Sequence, residues 1–300
     1  MTLLSSAAVR YQPRFRQDKH LWALVVIFYF YIFIHQRLGV RHSNEFPACS
    51  NTQSLPASLN DHYHTMNFKG GVIIIGSLLW EDTDLRKKWK TLNLESVDTK
   101  RFVSVPIRYG RQSSTRSDTY TMIFSNNIST QQGQAYILGF KDEIKNARIL
   151  DSQAFALAAA EGFWTDKGPS INKTWGTVGL LINPNIGTKD KTNADVIRKW
   201  WTNLYQKYSD TFDHSQYRID DNELPVIDKD GFLQILWTDE MNDFDFLIAT
   251  PVVPKPKRLL TAKEIAEQMT AKKYRTYFDK NRENNIQTFQ DLEILEHLNA

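Results

Sequence analysis

One short run of β-branched residues, Val72–Ile75, is bounded by glycine on both sides. Four consecutive β-branched residues favour an extended strand, and the absence of polar alternation indicates that both faces of this strand are buried. Gly76-Ser77 follows directly and predicts a turn at the end of the strand. The chain is therefore expected to contain a sheet with a covered interior strand.

Further strands are predicted where apolar and polar residues alternate or where a short apolar run meets turn residues. They cover residues 102–107, 119–124, 134–140, 177–182, 232–237 and 244–253. Helices are predicted from N-terminal capping patterns and 3.6-residue periodicity. They cover a short segment around 85–89 and residues 150–162, 192–208, 261–277 and 288 onward. Strands lead and helices follow, which indicates an α+β fold.

Residues 1–65 form a leader that differs in composition from the rest of the chain. Residues 21–34 are fourteen apolar residues without a charge, whereas a spanning helix needs about 20. Three interpretations stay open: an upstream extension before a start at Met66, a membrane anchor, or a cleaved signal. Residues 66–190 are predicted as a core and residues 191–300 as a mostly helical C-terminal extension. The body is expected in the cytoplasm, or at a membrane if the leader anchors it.

The net charge of +3 comes from the leader. Of 37 Lys/Arg and 34 Asp/Glu, six and three precede residue 66, which leaves 31 of each in the body. The body therefore has no overall electrostatic attraction for nucleic acid. Cys49 and five of the seven histidines also lie in the leader, which excludes a cysteine nucleophile or a Cys-based metal site in the body. Acid–base chemistry is expected from carboxylates, Tyr or Lys.

Known phosphate-binding and nucleophile-elbow motifs are absent from the chain. Ser77 has no suitably placed histidine base and is not predicted to be a nucleophile. The Gly76-Ser77 turn instead offers backbone N–H groups to a carboxylate or phosphate. Glu161 follows Ala158–Ala160 at the end of an apolar helix, a setting that raises a carboxyl pKa and suits a general acid/base.

Four segments occur in an informative order along the chain. They are Ile75–Trp80, Arg101-Phe102, Gly133–Tyr136 and Leu157–Gly162. Together they resemble the γ-glutamylcyclotransferase-like family, most of all its glutathione-specific branch, over about residues 70–182. The resemblance implies an α+β fold with a small mixed β-barrel or sheet, flanking helices and a helical C-terminal extension. Ile75 departs from the family pattern, which usually has Tyr, and the chain after about residue 190 has no counterpart in the family core.

The resemblance also implies a site around the turn that follows the first strand. Glu161 is the implied general acid/base, and the backbone amides of residues 76–79 would hold the substrate α-carboxylate. The implied substrate-binding residues are Gly76, Ser77, Leu78, Leu79, Trp80, Arg101 and Tyr136.

The implied reaction is an intramolecular cyclisation that needs no metal and no cofactor. The α-amine of a γ-glutamyl compound attacks the side-chain amide carbonyl, 5-oxoproline forms and an amine leaves. Glu161 takes the ammonium proton and returns it to the leaving amine. Such intramolecular attacks reach effective molarities on the order of 10⁵–10⁸ M. The expected partner is a small γ-glutamyl substrate and not nucleic acid, and residues 21–34 are a candidate membrane contact.

Four arginines lie in or near the segment RYGRQSSTR: Arg101, Arg108, Arg111 and Arg116. They either pair with substrate carboxylates or lie on a solvated strand and loop, and the polar surroundings favour the second interpretation. Two rival functions stay open. Ile75 in place of Tyr suggests a noncatalytic binding module on the same fold, and residues 21–34 suggest a membrane-anchored interaction protein.

Overall fold

Five strands form the central sheet of the computed structural model, which describes residues 66–126, 131–186, 191–208 and 210–300. In spatial order they are β10 (Gly179–Ile182), β11 (Phe246–Ala249), β1 (Gly70–Ile74), β5 (Gly133–Gly139) and β2 (Arg101–Val105). β1 and β11 are parallel, and the other neighbouring pairs are antiparallel. The apolar run singled out in the sequence is thus the middle strand, and all of β1 is buried.

A separate antiparallel hairpin packs next to this sheet. It consists of β3 (Ile107–Ser113) and β4 (Thr119–Phe124), joined through a 3₁₀ turn at Ser114–Arg116. The prediction of one strand over residues 102–107 is wrong, because the chain passes from β2 to β3 at Pro106, which has no N–H to donate to a ladder. Two two-residue hairpins follow later: β6 (Trp164–Thr165) with β7 (Gly168–Pro169), and β8 (Asn172–Lys173) with β9 (Gly176–Thr177).

Six α-helices occur in the described part of the chain. They are α1 (Asp84–Asn93), α2 (Ala147–Glu161), α3 (Lys191–Tyr205), α4 (Ala262–Lys272), α5 (Thr276–Glu283) and α6 (Asp291–Asn299). Side-chain caps set the start of several of them, since the first N–H groups of a helix lack intrahelical partners. Thr83 caps α1, Asn146 caps α2, and Thr261 forms a complete capping box with Glu264 at α4.

Two further predicted elements differ from the structure. The single helix predicted over residues 261–277 is two helices, because Lys273 adopts a left-handed conformation with φ of 50° and ends α4. The strand predicted at residues 232–237 is a series of turns with isolated bridges, Phe232 to Leu180 and Leu233 to Ile227. The segment 191–300 is largely helical, but it also supplies β11, which pairs with two strands from the preceding part of the chain.

The fold is α+β, as the sequence predicts, with an open sheet. Within the described residues, β10 and β2 are the two edges of the five-stranded sheet and no closed barrel forms. None of the helices in these residues has the length and apolar character needed to cross a membrane. The predictions for the leader, residues 1–65, including the apolar segment 21–34, lie outside the described residues.

Candidate functional site

A cleft of about 250 Å³ lies at the end of β1. The chain turns there at Gly76–Leu78, and the last residue of α2, Glu161, lines the same cleft. Glycine at the C-terminal boundary explains why α2 stops at this point. Gly162 has a φ of +82°, a left-handed conformation that glycine adopts without steric cost and that commonly closes a helix.

The turn after β1 has backbone N–H groups that its own hydrogen bonds leave unused. Its own hydrogen bonds run from the Leu79 N–H to the Gly76 carbonyl, at 3.1 Å, and from the Glu81 N–H to the Ser77 carbonyl, at 2.8 Å. The N–H groups of Ser77 and Leu78 have no acceptor among the described residues. Successive unpaired N–H groups in a turn are the donors that form an anion-binding nest in proteins. Anion binding at this turn stays a prediction.

Two arginines converge on the Ser77 side chain. Arg86 Nη1 donates to Ser77 Oγ at 2.9 Å and Arg116 Nη2 donates to the same oxygen at 3.2 Å. Both guanidinium groups also pair with Glu81 Oε2. Arg86 lies in the first turn of α1, where the Thr83 cap fixes the helix start. Hydrogen bonds and ion pairs therefore join Ser77, Glu81, Arg86 and Arg116 into one polar cluster.

Glu161 joins this cluster through Arg86. Arg86 Nη2 lies 3.2 Å from Glu161 Oε2, and Thr250 Oγ1 donates to Glu161 Oε1 at 2.8 Å. Burial raises the pKa of the Glu161 carboxyl above its usual range, and it outweighs the lowering by the Arg86 charge and the Thr250 hydrogen bond. The Arg86 guanidinium therefore bridges the Ser77 side chain and the Glu161 carboxyl, whose pKa is raised.

The pKa values of Glu81 and Glu161 shift in opposite directions although both carboxyl groups contact Arg86. Burial acts to raise the pKa of Glu81 as well, but the hydrogen bond from Arg116 and the charges of both arginines outweigh it and lower that pKa. Glu81 therefore stays an anion that holds the two arginines in place. Two carboxyl groups pushed in opposite directions are the usual sign of divided acid–base roles, and here Glu161 is the one suited to exchange a proton.

Helix α5 closes the other side of the cleft. The guanidinium carbon of Arg116 lies 5.7 Å from the Trp80 ring centre and 5.6 Å from that of Tyr277. The Trp80 indole N–H donates to Asn281 Oδ1 at 2.7 Å, and the Met122 N–H donates to Tyr277 Oη at 3.4 Å. Residues far apart in the chain therefore fix the position of Arg116.

Of the predicted site residues, Gly76, Ser77, Leu78 and Glu161 line the cleft. The other four do not contribute to its lining: Leu79, Trp80, Arg101 and Tyr136. Leu79 is buried in the core, and Trp80 contacts the Arg116 guanidinium with its ring.

Arg101 and Tyr136 are engaged elsewhere. Arg101 pairs with Asp243 at the surface, and Tyr136 packs on Phe102 with ring centres 4.6 Å apart.

The interpretation of the arginines as solvated is wrong for three of them. Arg111 and Arg116 line the cleft, and Arg108 is 4% exposed. Sequence reasoning missed Arg86 and Tyr277. The position of Arg86 just after a Thr-capped helix start was a usable signal, whereas nothing in the sequence points from residue 277 back to residue 76.

No group of three His, Cys, Asp or Glu side chains in the described part of the chain is arranged to hold a metal ion. No protein-family model, curated protein or solved structure matches this chain.

Proposed function

We propose that this protein cyclises the γ-glutamyl group of a small compound to 5-oxoproline and releases an amine. The observation that carries the proposal is the position of Arg86, which contacts both Ser77 Oγ and the Glu161 carboxylate. It puts an anion-binding turn beside a carboxyl whose pKa is raised by burial. A γ-glutamyl group offers the matching pair, an α-carboxylate and an α-ammonium on one carbon.

The substrate α-carboxylate binds at the Ser77 turn in this scheme. The unpaired N–H groups of Ser77 and Leu78 donate to it, and Arg86 and Arg116 supply positive charge. Charge-assisted bonds of this kind are stronger than neutral ones. They fix the α-carbon, so the α-amine is held in the rotamer that faces its own side-chain amide.

Glu161 then carries protons between the two nitrogen atoms. Its carboxylate takes a proton from the α-ammonium, and the amine nitrogen attacks the γ-carbonyl carbon. Glu161 returns that proton to the leaving nitrogen as its C–N bond breaks. The attacking nitrogen loses a second proton to become the lactam N–H, and this proton also goes to the released amine, which leaves as an ammonium, so atoms and charges balance without a further reactant. A carboxylate has about four lone-pair positions. Arg86 and Thr250 occupy two, which leaves capacity for the substrate ammonium.

The experiment is 5-oxoproline release by the full-length chain from glutathione and a panel of γ-glutamyl dipeptides. Release by the wild type and a loss of about 10²-fold or more in Glu161→Gln are expected, as for removal of a general acid/base. Glu143→Gln, at an exposed position outside the cleft, is the matched control and should keep its rate. A folded wild type that releases no 5-oxoproline from any member of the panel contradicts the proposal.

The second candidate is a binding module that uses the same cleft without turnover. It is favoured by Ile75, an apolar residue in the cleft lining where the family that the sequence resembles usually has Tyr. This function predicts that γ-glutamyl compounds bind with equal affinity to wild type and Glu161→Gln and are recovered intact. Calorimetry followed by analysis of the recovered ligand separates the two functions.

A further inference from the structure

A third arginine lines the cleft and has no acidic partner. Arg111 Nη1 donates to the Val253 carbonyl at 2.6 Å, and its guanidinium carbon lies 5.4 Å from the Trp175 ring centre. Within residues 66–126, 131–186, 191–208 and 210–300, no carboxylate forms an ion pair with it. A guanidinium has five N–H donors, and the Val253 carbonyl accepts from one of those of Arg111. The remaining donors are left for other acceptors.

The lack of a counter-ion is unusual for a partly buried cation. Removing a charge from water costs free energy unless an opposite charge or strong hydrogen bonds compensate for it. Burial lowers the pKa of Arg111 below its usual range, a direct sign of this cost. Arg86 and Arg116, in contrast, both pair with Glu81. An anionic ligand would supply the charge that Arg111 lacks.

Arg111 and Glu161 both line the cleft and are linked by one short segment of chain. One segment contacts both residues, because Thr250 donates to Glu161 and Val253 accepts from Arg111. The two contacts are three residues apart, a length of chain that spans at most about 10 Å. Trp175 is fixed beside this segment, since the Val253 N–H donates to the Trp175 carbonyl at 2.9 Å.

The charged side chains around the cleft have an excess of one positive charge. Arg86 and Arg116 are balanced by Glu81 and Glu161, and Arg111 adds one positive charge. A γ-glutamyl amino acid has two carboxylates and one ammonium, a net charge of −1. Its two carboxylates are separated by two to three residue lengths, roughly 7–10 Å. The charge agrees with an α-carboxylate at Ser77 and a second carboxylate at Arg111, two residues that line the same cleft.

We infer that Arg111 and Trp175 form a second anion subsite, which holds a carboxylate on the leaving amine. This inference rests on the proposed function and deepens it. Arg111 is a specificity-determining residue that selects γ-glutamyl amino acids and peptides over γ-glutamyl derivatives of uncharged amines. Trp175 lies within cation–π distance of the Arg111 guanidinium and helps to hold it in the cleft.

The test compares γ-glutamyl-alanine with γ-glutamyl-alaninamide, which differ in the second carboxylate alone. The wild-type kcat/KM is expected to favour the free carboxylate by about 10-fold to 100-fold, the range for a charge-assisted contact. Arg111→Gln should remove this preference by lowering only the value for the free carboxylate. Arg111→Lys keeps the charge without the planar fork and should retain part of the preference. Arg148→Gln, an exposed arginine outside the cleft lining, is the matched control.

Equal wild-type rates for the two compounds would overturn the subsite, and so would an equal loss for both in Arg111→Gln. Failure of the proposed reaction is recognised separately, as absence of 5-oxoproline from both compounds. In that case the subsite is tested by the affinities of both compounds. Calorimetry measures them for Glu161→Gln and for the double variant that also carries Arg111→Gln. Tighter binding of the free carboxylate that depends on Arg111 supports the subsite, and equal affinities reject it. Thermal unfolding of each variant verifies that it is folded.

Discussion

The hydroxyl of Tyr277 lies against Gly76, so closely that a Cβ at residue 76 would stand 2.5 Å from Tyr277 Oη. A contact this short does not occur between real atoms of this type, and the hydroxyl itself is packed in the core. Glycine is therefore required at the turn because of a side chain about 200 residues later in the chain. The contact makes helix α5 part of the anion-binding turn.

Gly76→Ala should displace Tyr277 and lower both stability and activity. We expect a loss of about 1–3 kcal/mol in the free energy of unfolding, the usual cost of overpacking a core. The companion variant Tyr277→Phe removes Oη, and the next ring atom, Cζ, would stand 3.4 Å from the new Cβ, an ordinary contact. The double variant should therefore regain much of the loss. Denaturant unfolding in a double-mutant cycle measures this, and additive losses would contradict it.

Ser77→Ala should weaken substrate binding more than turnover. The variant keeps the backbone N–H groups but removes the oxygen that accepts from Arg86 and Arg116. We expect kcat/KM to fall about 10-fold through KM, because the two hydrogen bonds that position the arginines are lost. Steady-state kinetics tests this, and a fall confined to kcat would place Ser77 in the chemical step instead.

Arg86→Gln should move the acidic limb of the pH–rate profile to higher pH. The Arg86 charge lowers the pKa of Glu161, so its removal leaves burial less opposed and raises that pKa further. The base form of Glu161 then appears only at higher pH, and kcat/KM in the free enzyme reports this pKa. Lys87→Gln, an exposed cation on the same helix, is the control. An unshifted limb in Arg86→Gln would show that another group titrates.

Asp291 should make the protein less stable as the pH rises from about 4 to above 6. Burial raises its pKa to about 6, against the hydrogen bonds from Thr288 that lower it, and Oδ2 has no partner. The folded state thus binds the proton more tightly than the unfolded chain, and stability decreases with rising pH between the two pKa values. The loss is roughly 3 kcal/mol for a shift of about two units.

Asp291→Asn should flatten this pH dependence. The amide keeps an oxygen for the two bonds from Thr288 and carries no charge at any pH. The variant should be more stable than wild type above pH 6 and similar at pH 4. Denaturant unfolding across this range measures the difference, and identical pH profiles for the two proteins would contradict the prediction.

Local sequence signals predicted the Ser77 turn and Glu161 but missed Arg86 and Tyr277, which line the same cleft. The glycine-bounded run at Val72–Ile75 and the Ala-rich helix before Glu161 each identify their element and its end, because strand burial and helix stops are properties of neighbouring residues. The convergence of Arg86, Arg116 and Tyr277 depends on how distant elements pack. No periodicity or capping pattern reports such contacts, so they appear only in the structure.

Arg101 and Tyr136 show the limit of a resemblance carried by short motifs. Both occur at the expected places in the chain, on paired strands β2 and β5. Arg101 pairs instead with Asp243 and Tyr136 packs on Phe102, away from the cleft. Strand position fixes a residue along the sheet, but the face and edge that a side chain reaches depend on the register and on what packs there.

The position of β11 has a consequence for how the protein is made. β1 leaves the ribosome early, whereas its parallel neighbour β11 is translated about 170 residues later, roughly 10–30 s at ordinary elongation rates. Throughout that interval one edge of an entirely apolar strand has no partner, and such edges recruit other chains. Nascent chains stalled before β11 should therefore depend on chaperones, whereas chains in which α5 has already left the ribosome should not.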